Sequence, residues 1–406
     1  MPTSFAGKRI VIGITGSIAA FKVAGWVSTL AKEEARVTVI MTDSAMRFVT
    51  PLTFASLSGE KVYSDMFADG PDISHINLAM DADLFIIAPA TAHTIAKLAH
   101  GLADNLLCAT ALATRAKMIV CPAMNSRMYS HPATQANIAK LKELNYQIIE
   151  PACGMMACKD EGQGRLPGWE QVQEIFLRSV SAGDLSGQRV LVSAGPTREH
   201  IDPARFISNR SSGKMGYALA RTAYRRGADV TLISGPTHLP CPEGVKRVSV
   251  QTAEDMRTAV MEHFPQATVI IKAAAVSDFR PETKYTDKVK KEQAGLSLGL
   301  IANPDILQEL GERKNAQQLL VGFAAESSDF LSEGKRKLQK KNLDLIAVND
   351  ITREDRGFEA DTNQITLIDH QGVIELPLVS KERTADLLLD RIVTLLQTRR
   401  ESHYLQ

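Results

Sequence analysis

Three side chains suited to proton transfer or substrate holding occur in separate segments of the first half: His75 in DISHINL, Asn125 in CPAMNSRMY and Cys158 in PACGMMACKDEGQGRLPG. An imidazole can move a proton near neutral pH, although one histidine among nine can equally be structural or surface-exposed. Asn125 follows an apolar run, where its amide either caps a turn or holds a substrate carboxylate. Cys158 stands five positions after Cys153, but no second cysteine pair and no histidine cluster accompanies them, so structural zinc is a poor reading. The four Gly and two Pro of 151–168 read as a loop. A mobile lid carrying one thiol fits that composition. Thr91 and Thr94, in APATAHTIAK, place two hydroxyls directly after a buried strand.

In GITGSIAAF, Gly13 and Gly16 form an incomplete dinucleotide fingerprint, and no acidic residue closes the second strand at the ribose-binding place. That favours a mononucleotide or phosphate over NAD, with Ser17 and the amides of the next helix as donors. A tight structural turn is the alternative. The second half is richer in cations. NRSSGK supplies Asn209, Arg210 and Lys214, KVKK supplies Lys288, Lys290 and Lys291, and Lys337 and Lys341 fall four apart on one helical face. SSGKMG lacks the earlier Gly and the Ser or Thr after Lys214 of a Walker-type loop, which makes that motif unlikely. Acidic neighbours and sparse aromatics favour a triphosphate over nucleic acid as the partner of these lysines.

The elements that position these groups repeat. KRIVIGITGS at 8–17 is followed by a helix pattern and RVTVIMT at 36–42; QRVLVSAGPT at 188–197 is followed by a helix pattern and ADVTLISGP at 228–236. Continuously apolar strands need cover on both faces, so each half is expected to be a parallel sheet between helices. Further strands are expected near 83–88, 117–121, 146–149, 267–273, 319–324 and 344–348, with a late hairpin at 364–368 and 373–376. Helices are expected near 94–100, 104–114, 134–144, 214–226, 253–263, 328–340 and 382–397. Ligands in such sheets gather beyond the carboxyl ends of the strands. SAGDLSGQ at 181–188 is the natural seam.

The chain has 406 residues, enough for two or three domains at roughly 100–200 residues each. With 47 Lys plus Arg against 46 Asp plus Glu and 44% hydrophobic residues, it is neither a disordered chain nor a polybasic nucleic-acid coat. No run reaches the roughly 18 apolar residues of a membrane span. The first residues lack a convincing signal-cleavage site. Five cysteines, few and odd in number, suit a reducing cytosol.

The ordered set of motifs resembles the bifunctional coenzyme A biosynthesis family in which phosphopantothenoylcysteine decarboxylase is fused to phosphopantothenate-cysteine ligase. In the first half it comprises GSIAAFK at 16–22, His75, PATAHT at 89–94, PAMNSRM at 122–128 and GQGR at 162–165. The second half carries AGPTRE at 194–199, ISNRSSGKMG at 207–216, AAAVSDF at 273–279, KVKK at 288–291, NPDI at 303–306 and GFAAE at 322–326. The resemblance spans essentially the whole chain. It implies two Rossmann-like three-layer α/β/α domains: a flavodoxin-like, flavin-containing decarboxylase half at 1–185, then a nucleotide-binding ligase half at 186–406.

By that resemblance the second half uses CTP and magnesium to activate (R)-4'-phosphopantothenate as an acyl-cytidylate, which L-cysteine's amine attacks. The first half then decarboxylates the product to 4'-phosphopantetheine with FMN, which makes the otherwise unstabilised loss of carbon dioxide possible. The resemblance assigns His75 as base, Asn125 to the substrate carboxylate or amide, and Cys158 as proton donor to the enethiol. It assigns Gly16, Ser17, Thr91 and Thr94 to FMN. In the ligase half it assigns Lys288 to the triphosphate and Asn209 to the acyl-cytidylate. Nucleotide binding would be completed by Ala273, Ala274, Ala275, Asp278, Asn303, Pro304, Asp305, Ile306, Phe323, Lys337 and Lys341. The magnesium ligands are left unassigned. Ser17 stands where the family often has a second Gly, and Lys159 where Gly commonly follows the active cysteine. The family also implies a cytoplasmic homo-oligomer, a dodecamer of decarboxylase trimers joined through ligase dimers, with no nucleic acid or membrane partner. The competing reading is a flavin-binding regulatory protein that has lost one or both activities; the reactive residues retained at 75, 125, 158, 209 and 288 count against it.

Overall fold

The structure, a computed structural model, describes residues 4–67, 74–156, 160–290, 297–326, 330–350 and 361–404. It divides into two compact units, with the break between Val180 and Ser181.

In the first unit six strands, β1 (Arg9–Ile14), β2 (Arg36–Met41), β3 (Val62–Tyr63), β4 (Leu84–Ala90), β5 (Lys117–Pro122) and β6 (Gln147–Ile148), form one sheet in the order 3-2-1-4-5-6. All pairings are parallel. Without the two-residue edge strand β3 this is the flavodoxin-like order. The helices are α1 (Ala20–Lys32), α2 (Asp43–Met46), α3 (Pro51–Ser58), α4 (Ser74–Met80), α5 (Ala92–His100), α6 (Leu106–Ala113), α7 (Ser126–Ser130), α8 (Pro132–Glu143) and α9 (Trp169–Val180). The period-2 alternation of β1 explains why both faces are covered. Ile10, Ile12 and Ile14 enter a core with α1 and α9, while Val11 faces the core under α5, α6 and α8. The buried stripe Val23, Trp26, Val27 and Leu30 of α1 has helical spacing, and Trp26 meets Phe176 of α9 edge-on at 5.8 Å.

Residues 151–168 are not the expected loop. They contain an antiparallel hairpin, β7 (Ala152–Met155) and β8 (Glu161–Arg165). Its glycines serve close packing. A Cβ on Gly164 would stand 2.2 Å from the Met124 carbonyl oxygen, and one on Gly162 would stand 2.9 Å from Ser126 Cβ.

The second unit repeats the scheme with β9 (Arg189–Ala194), β12 (Asp229–Ser234), β13 (Lys246–Ser249), β14 (Val269–Lys272), β17 (Leu319–Glu326) and β18 (Leu345–Asp350), ordered 13-12-9-14-17-18 and parallel. The late hairpin, β20 (Ile365–Asp369) and β21 (Gly372–Glu375), extends this sheet antiparallel. Three small ribbons lie beside it: β10 (Arg198–His200) with β11 (Phe206–Ser208), β15 (Phe279–Pro281) with β16 (Leu300–Ala302), and β19 (Thr362–Asn363) with β22 (Val379–Ser380). The helices are α10 (Lys214–Arg225), α11 (Ala253–His263), α12 (Ile306–Arg313), α13 (Phe330–Lys340) and α14 (Lys381–Tyr404). Val190 and Val192 of β9 face a core with α10 and α14; Leu191 faces the one with α11 and α12. A capping box at Thr252 and Asp255 starts α11, an arrangement that satisfies two orphan amide donors. Each unit is therefore a three-layer α/β/α domain.

Candidate functional site

In the first unit the strand order reverses between β1 and β4, and Thr15 bridges that point. Its buried hydroxyl donates to the Pro89 carbonyl at 2.5 Å and accepts from the Thr91 N–H at 3.0 Å. The chain then turns through Gly16, whose absent Cβ would lie 2.4 Å from Ser44 Cβ; glycine is needed there for clearance. Ser17 precedes α1, whose N-terminus has no side-chain cap among the described residues. The Ala20 N–H donates to the Ser17 carbonyl and the Lys22 N–H to the Ala19 carbonyl, both at 3.0 Å, so the helix opens on a tight turn. Thr91 caps α5 by accepting from the Thr94 N–H at 3.4 Å, and Thr94 is buried behind it. The hydroxyls read as binding groups therefore also fix the strand exit.

A cavity of about 410 Å³ opens beside Ser17. Ile18, Phe21, Met124, Met155, Met156 and Leu166 give it apolar walls, and Lys22, Asn125 and Arg165 supply its polar groups. Burial, and then the charge of Arg165, lower the Lys22 pKa. Asn125 caps α7 through a bond from the Arg127 N–H at 2.9 Å and donates from Nδ2 to Asp160 at 3.2 Å. Its amide oxygen is thus engaged in the cap and its Nδ2 in the bond to Asp160. Cys158 and Lys159 lie outside the described residues; the flanking Met156 N–H donates to the Asp160 carbonyl at 2.9 Å. His75 is partly buried on α4 and is not among the residues lining this cavity. A larger cavity of about 430 Å³ lies at the opposite, amino-terminal ends of β1 and β2. Its charges pair with one another, Arg9 with Asp81 and Arg36 with Glu60, both at 3.0 Å, which leaves it without the convergent groups of the strand exits.

In the second unit the corresponding reversal lies between β9 and β14. The Ala275 N–H donates to the Gly195 carbonyl at 3.0 Å, and the Ser277 N–H to Thr197 Oγ1 at 3.0 Å. Beyond these strands a cavity of about 360 Å³ brings together Asn209, Ala273, Ala274, Ala275, Asp278, Phe323 and Lys337. Asn209 is aimed by its Nδ2 bond to the Val276 carbonyl at 3.0 Å. The N-terminus of α10 forms another part of the wall, with Gly213 in a left-handed conformation at φ +78 and no side-chain cap among the described residues. Gly216 lets α10 approach β9, since a Cβ there would stand 2.5 Å from Ala194 Cβ.

The remaining expected residues fall outside that lining. Lys288 is exposed on the segment after β15. That segment is anchored by Arg205, which donates to the Val289 carbonyl at 2.8 Å, and by the Val289 N–H, which donates to Asp202 at 3.2 Å. The Arg205 hydrogen bond, foremost, holds the Asp202 carboxyl far below the usual range. Lys291 lies outside the described residues. Asn303 ties the strand exit together, donating to the Ser277 carbonyl at 2.8 Å. Asp305 caps α12 and pairs with Lys341 at 2.8 Å; burial opposes this, while the Lys341 and backbone hydrogen bonds leave its pKa lowered. Pro304 is exposed and Ile306 is buried in the core. Three lining residues escaped the sequence reading: Asn349, Asn363 and Lys381. Their only sequence signal was a lysine at the start of the last helical pattern. Among the described residues no group of three or more His, Cys, Asp or Glu could hold a metal, and no helix is long and apolar enough to cross a membrane.

Comparison with known proteins covers both units. Residues 2–181 match the family described as Flavoprotein, and residues 185–396 match the DNA/pantothenate metabolism flavoprotein C-terminal domain. The coenzyme A biosynthesis bifunctional protein CoaBC of Bacillus subtilis (strain 168) is 46% identical over 396 residues, covering 96% of this chain and 97% of that one. CoaBC of Vibrio cholerae serotype O1 is 42% identical, covering 96% and 98%. CoaBC of Mycobacterium tuberculosis (strain ATCC 25618 / H37Rv) is 44% identical, covering 96% and 97%.

Proposed function

The chain belongs to the family of coenzyme A biosynthesis bifunctional proteins, enzymes with ligase and decarboxylase activities, and on that premise we propose that residues 1–185 carry the decarboxylase and residues 186–406 the CTP-dependent ligase. The observation that carries this reading is the similarity to the CoaBC proteins over 96% of the chain. Each unit also has its own cavity at a strand-order reversal.

In the ligase half, CTP activates the carboxylate of (R)-4'-phosphopantothenate, because an ionised carboxylate is a poor acceptor for an amine. Asn209 steadies the acyl-cytidylate. Ala273, Ala274, Ala275, Asp278 and Phe323 line the nucleotide site, while Lys288, Lys337 and Lys341 supply positive charge. Asn303, Pro304, Asp305 and Ile306 form its neighbouring loop, Asn303 by fixing the strand exit and Ile306 by anchoring α12. Mg²⁺ would be held chiefly by nucleotide phosphates, consistent with its usual mode. L-Cysteine's amine then displaces CMP to give phosphopantothenoylcysteine.

In the decarboxylase half the apolar walls and the tight turn opening α1 fit FMN, with Gly16 and Ser17 at the phosphate turn and Thr91 and Thr94 at the adjoining strand exit. A bound FMN would supply the two-electron redox chemistry that makes loss of carbon dioxide possible. Asn125 holds the departing carboxylate, His75 accepts a proton, and Cys158 delivers one to the enethiol. The exposed apolar side chains Leu52, Phe67 and Met80 support burial of this half against other copies. That suits trimers whose contacts bring His75 to a neighbouring cavity, joined into a cytoplasmic dodecamer by ligase dimers. The test is one separation of products after supplying phosphopantothenate, cysteine, CTP and magnesium. Phosphopantetheine is expected; phosphopantothenoylcysteine alone would leave only ligation standing, and neither product would defeat the reading.

A further inference from the structure

Asn209 and Lys288, the groups that the ligase reading places on the acyl-cytidylate and the triphosphate, lie far apart in sequence, and one buried carboxylate ties their segments together. Asp202 sits in the turn between β10 and β11 and is fully buried. Its Oδ1 accepts from the Ala204 N–H at 2.8 Å and from the Arg205 N–H at 2.9 Å, which caps the turn. Its Oδ2 accepts from Arg205 Nε at 2.9 Å and from the Val289 N–H at 3.2 Å. Arg205 Nη2 donates to the same Oδ2 and, at 2.8 Å, to the Val289 carbonyl. Both backbone groups of Val289, the residue after Lys288, are therefore held. On the other side of Lys288 the Tyr285 N–H donates to the Ile201 carbonyl at 2.8 Å. The same turn leads through β11 directly into Asn209, which lines the cavity.

We infer that Asp202, acting through Arg205 and the Val289 main chain, is a positioning residue for the ligase reaction: it fixes the backbone from which Lys288 reaches the nucleotide phosphates. This rests on the reading of Lys288 as a triphosphate contact. The turn by itself needs only the two Oδ1 bonds. The bonds to Val289 instead join two distant segments, and a charge-assisted network around a buried carboxylate holds them in one arrangement. An exposed lysine on a free loop would surrender much conformational freedom on meeting the phosphates. A backbone fixed on both sides of Lys288 has surrendered part of it beforehand, so the ammonium arrives oriented when charge collects on the departing diphosphate.

The experiment measures CTP-dependent diphosphate release by the full-length protein, at saturating CTP, in a double-mutant cycle of Asp202→Asn and Lys288→Gln. In Asp202→Asn the side-chain oxygen can keep the turn cap while the amide NH₂ faces the donors of Arg205 and Val289, so the clasp opens with the turn intact. Release should fall about tenfold in the parent background and change by less than about twofold in the Lys288→Gln background, because a residue that acts through Lys288 then has nothing left to position. The melting temperature and decarboxylation of supplied phosphopantothenoylcysteine report folding independently. If Asp202→Asn does not fold, Arg205→Lys, which keeps the charge and loses the bond to the Val289 carbonyl, goes through the same cycle and decides. Equal losses in both backgrounds overturn the proposal, since a purely structural turn would give them, and so does parent-like release. Parent-like release by Lys288→Gln alone removes the reading of Lys288, and the clasp with it; a fall in Lys288→Gln beside a parent-like Asp202→Asn removes the clasp alone.

Discussion

The two units use one scaffold around differently lined cavities. In both, six parallel strands run in the same spatial order, and the first helix of the unit begins without a side-chain cap among the described residues. Beyond the strands the likeness ends. The first cavity is walled by Phe21, Met124, Met155 and Met156 with a hairpin beside it; the second gathers Lys214, Lys337 and Lys381. A flat conjugated cofactor needs apolar walls and a few oriented polar groups, whereas a polyphosphate needs cations. The comparison teaches that the sheet sets where a ligand goes, and the residues just after each strand set what that ligand is.

The strongest way to break the comparison is at Cys158. Cys158→Ser should retain ligation and the oxidative half of decarboxylation, while phosphopantetheine formation falls by about 10²-fold or more. Mass measurement should find an accumulated product two hydrogens lighter. Phosphopantetheine at the parent rate would remove Cys158 as the donor.

On the other side, Lys288→Gln should reduce CTP-dependent diphosphate release by about 10²-fold at saturating CTP, with decarboxylation of supplied intermediate intact. Its exposed position means that the segment after β15 must bring it to the nucleotide. Unchanged diphosphate release would reject the role.

Lys272 sharpens the contrast through stability. Its ammonium is buried without a hydrogen-bond partner among the described residues, and desolvation lowers its pKa to about 7, opposed by Asp305. The folded state thus releases this proton near pH 7, while the unfolded chain keeps it until near the ordinary lysine value of 10.5. Stability therefore rises with pH across that window, and the full penalty applies below it. Lys272→Met should stabilise the second unit by about 1–3 kcal/mol at neutral pH, with the gain shrinking toward pH 10. Denaturant midpoints measured from pH 6 to 10 check the sign; a gain independent of pH would contradict it.

The smallest effects come from matched glycines. Gly16→Ala and Gly216→Ala should each cost about 1–3 kcal/mol through crowding against Ser44 and Ala194. Thermal melting should show two comparable losses. A neutral result at either position would mean that its neighbour yields.

Much of this scaffold was legible because buried parallel strands read as continuous apolar runs, as in IVIGI and LFIIA, with turn residues at their exits. The helix at 253–263 carried its own cap. Short elements were less visible. The hairpin at 152–165 looked like a loop because its glycines are there for contact with Met124 and Ser126, a tertiary demand with no local periodicity. The ribbons at 198–208 and 279–302 share that origin. At the sites, residues adjoining strand exits could be picked out by motif. Asn349, Asn363 and Lys381 could not, because only the folding-back of β18, β19 and α14 brings them to a cavity begun over a hundred residues earlier.

The most direct test of two separate sites is a paired product analysis of Asn125→Asp and Asn209→Asp in the full-length protein, each supplied once with phosphopantothenate, cysteine and CTP and once with phosphopantothenoylcysteine. Asn125→Asp should accumulate phosphopantothenoylcysteine, and Asn209→Asp should fail to make it yet still decarboxylate the supplied intermediate. Loss of both activities in either folded variant would contradict the assignment of one reaction to each half.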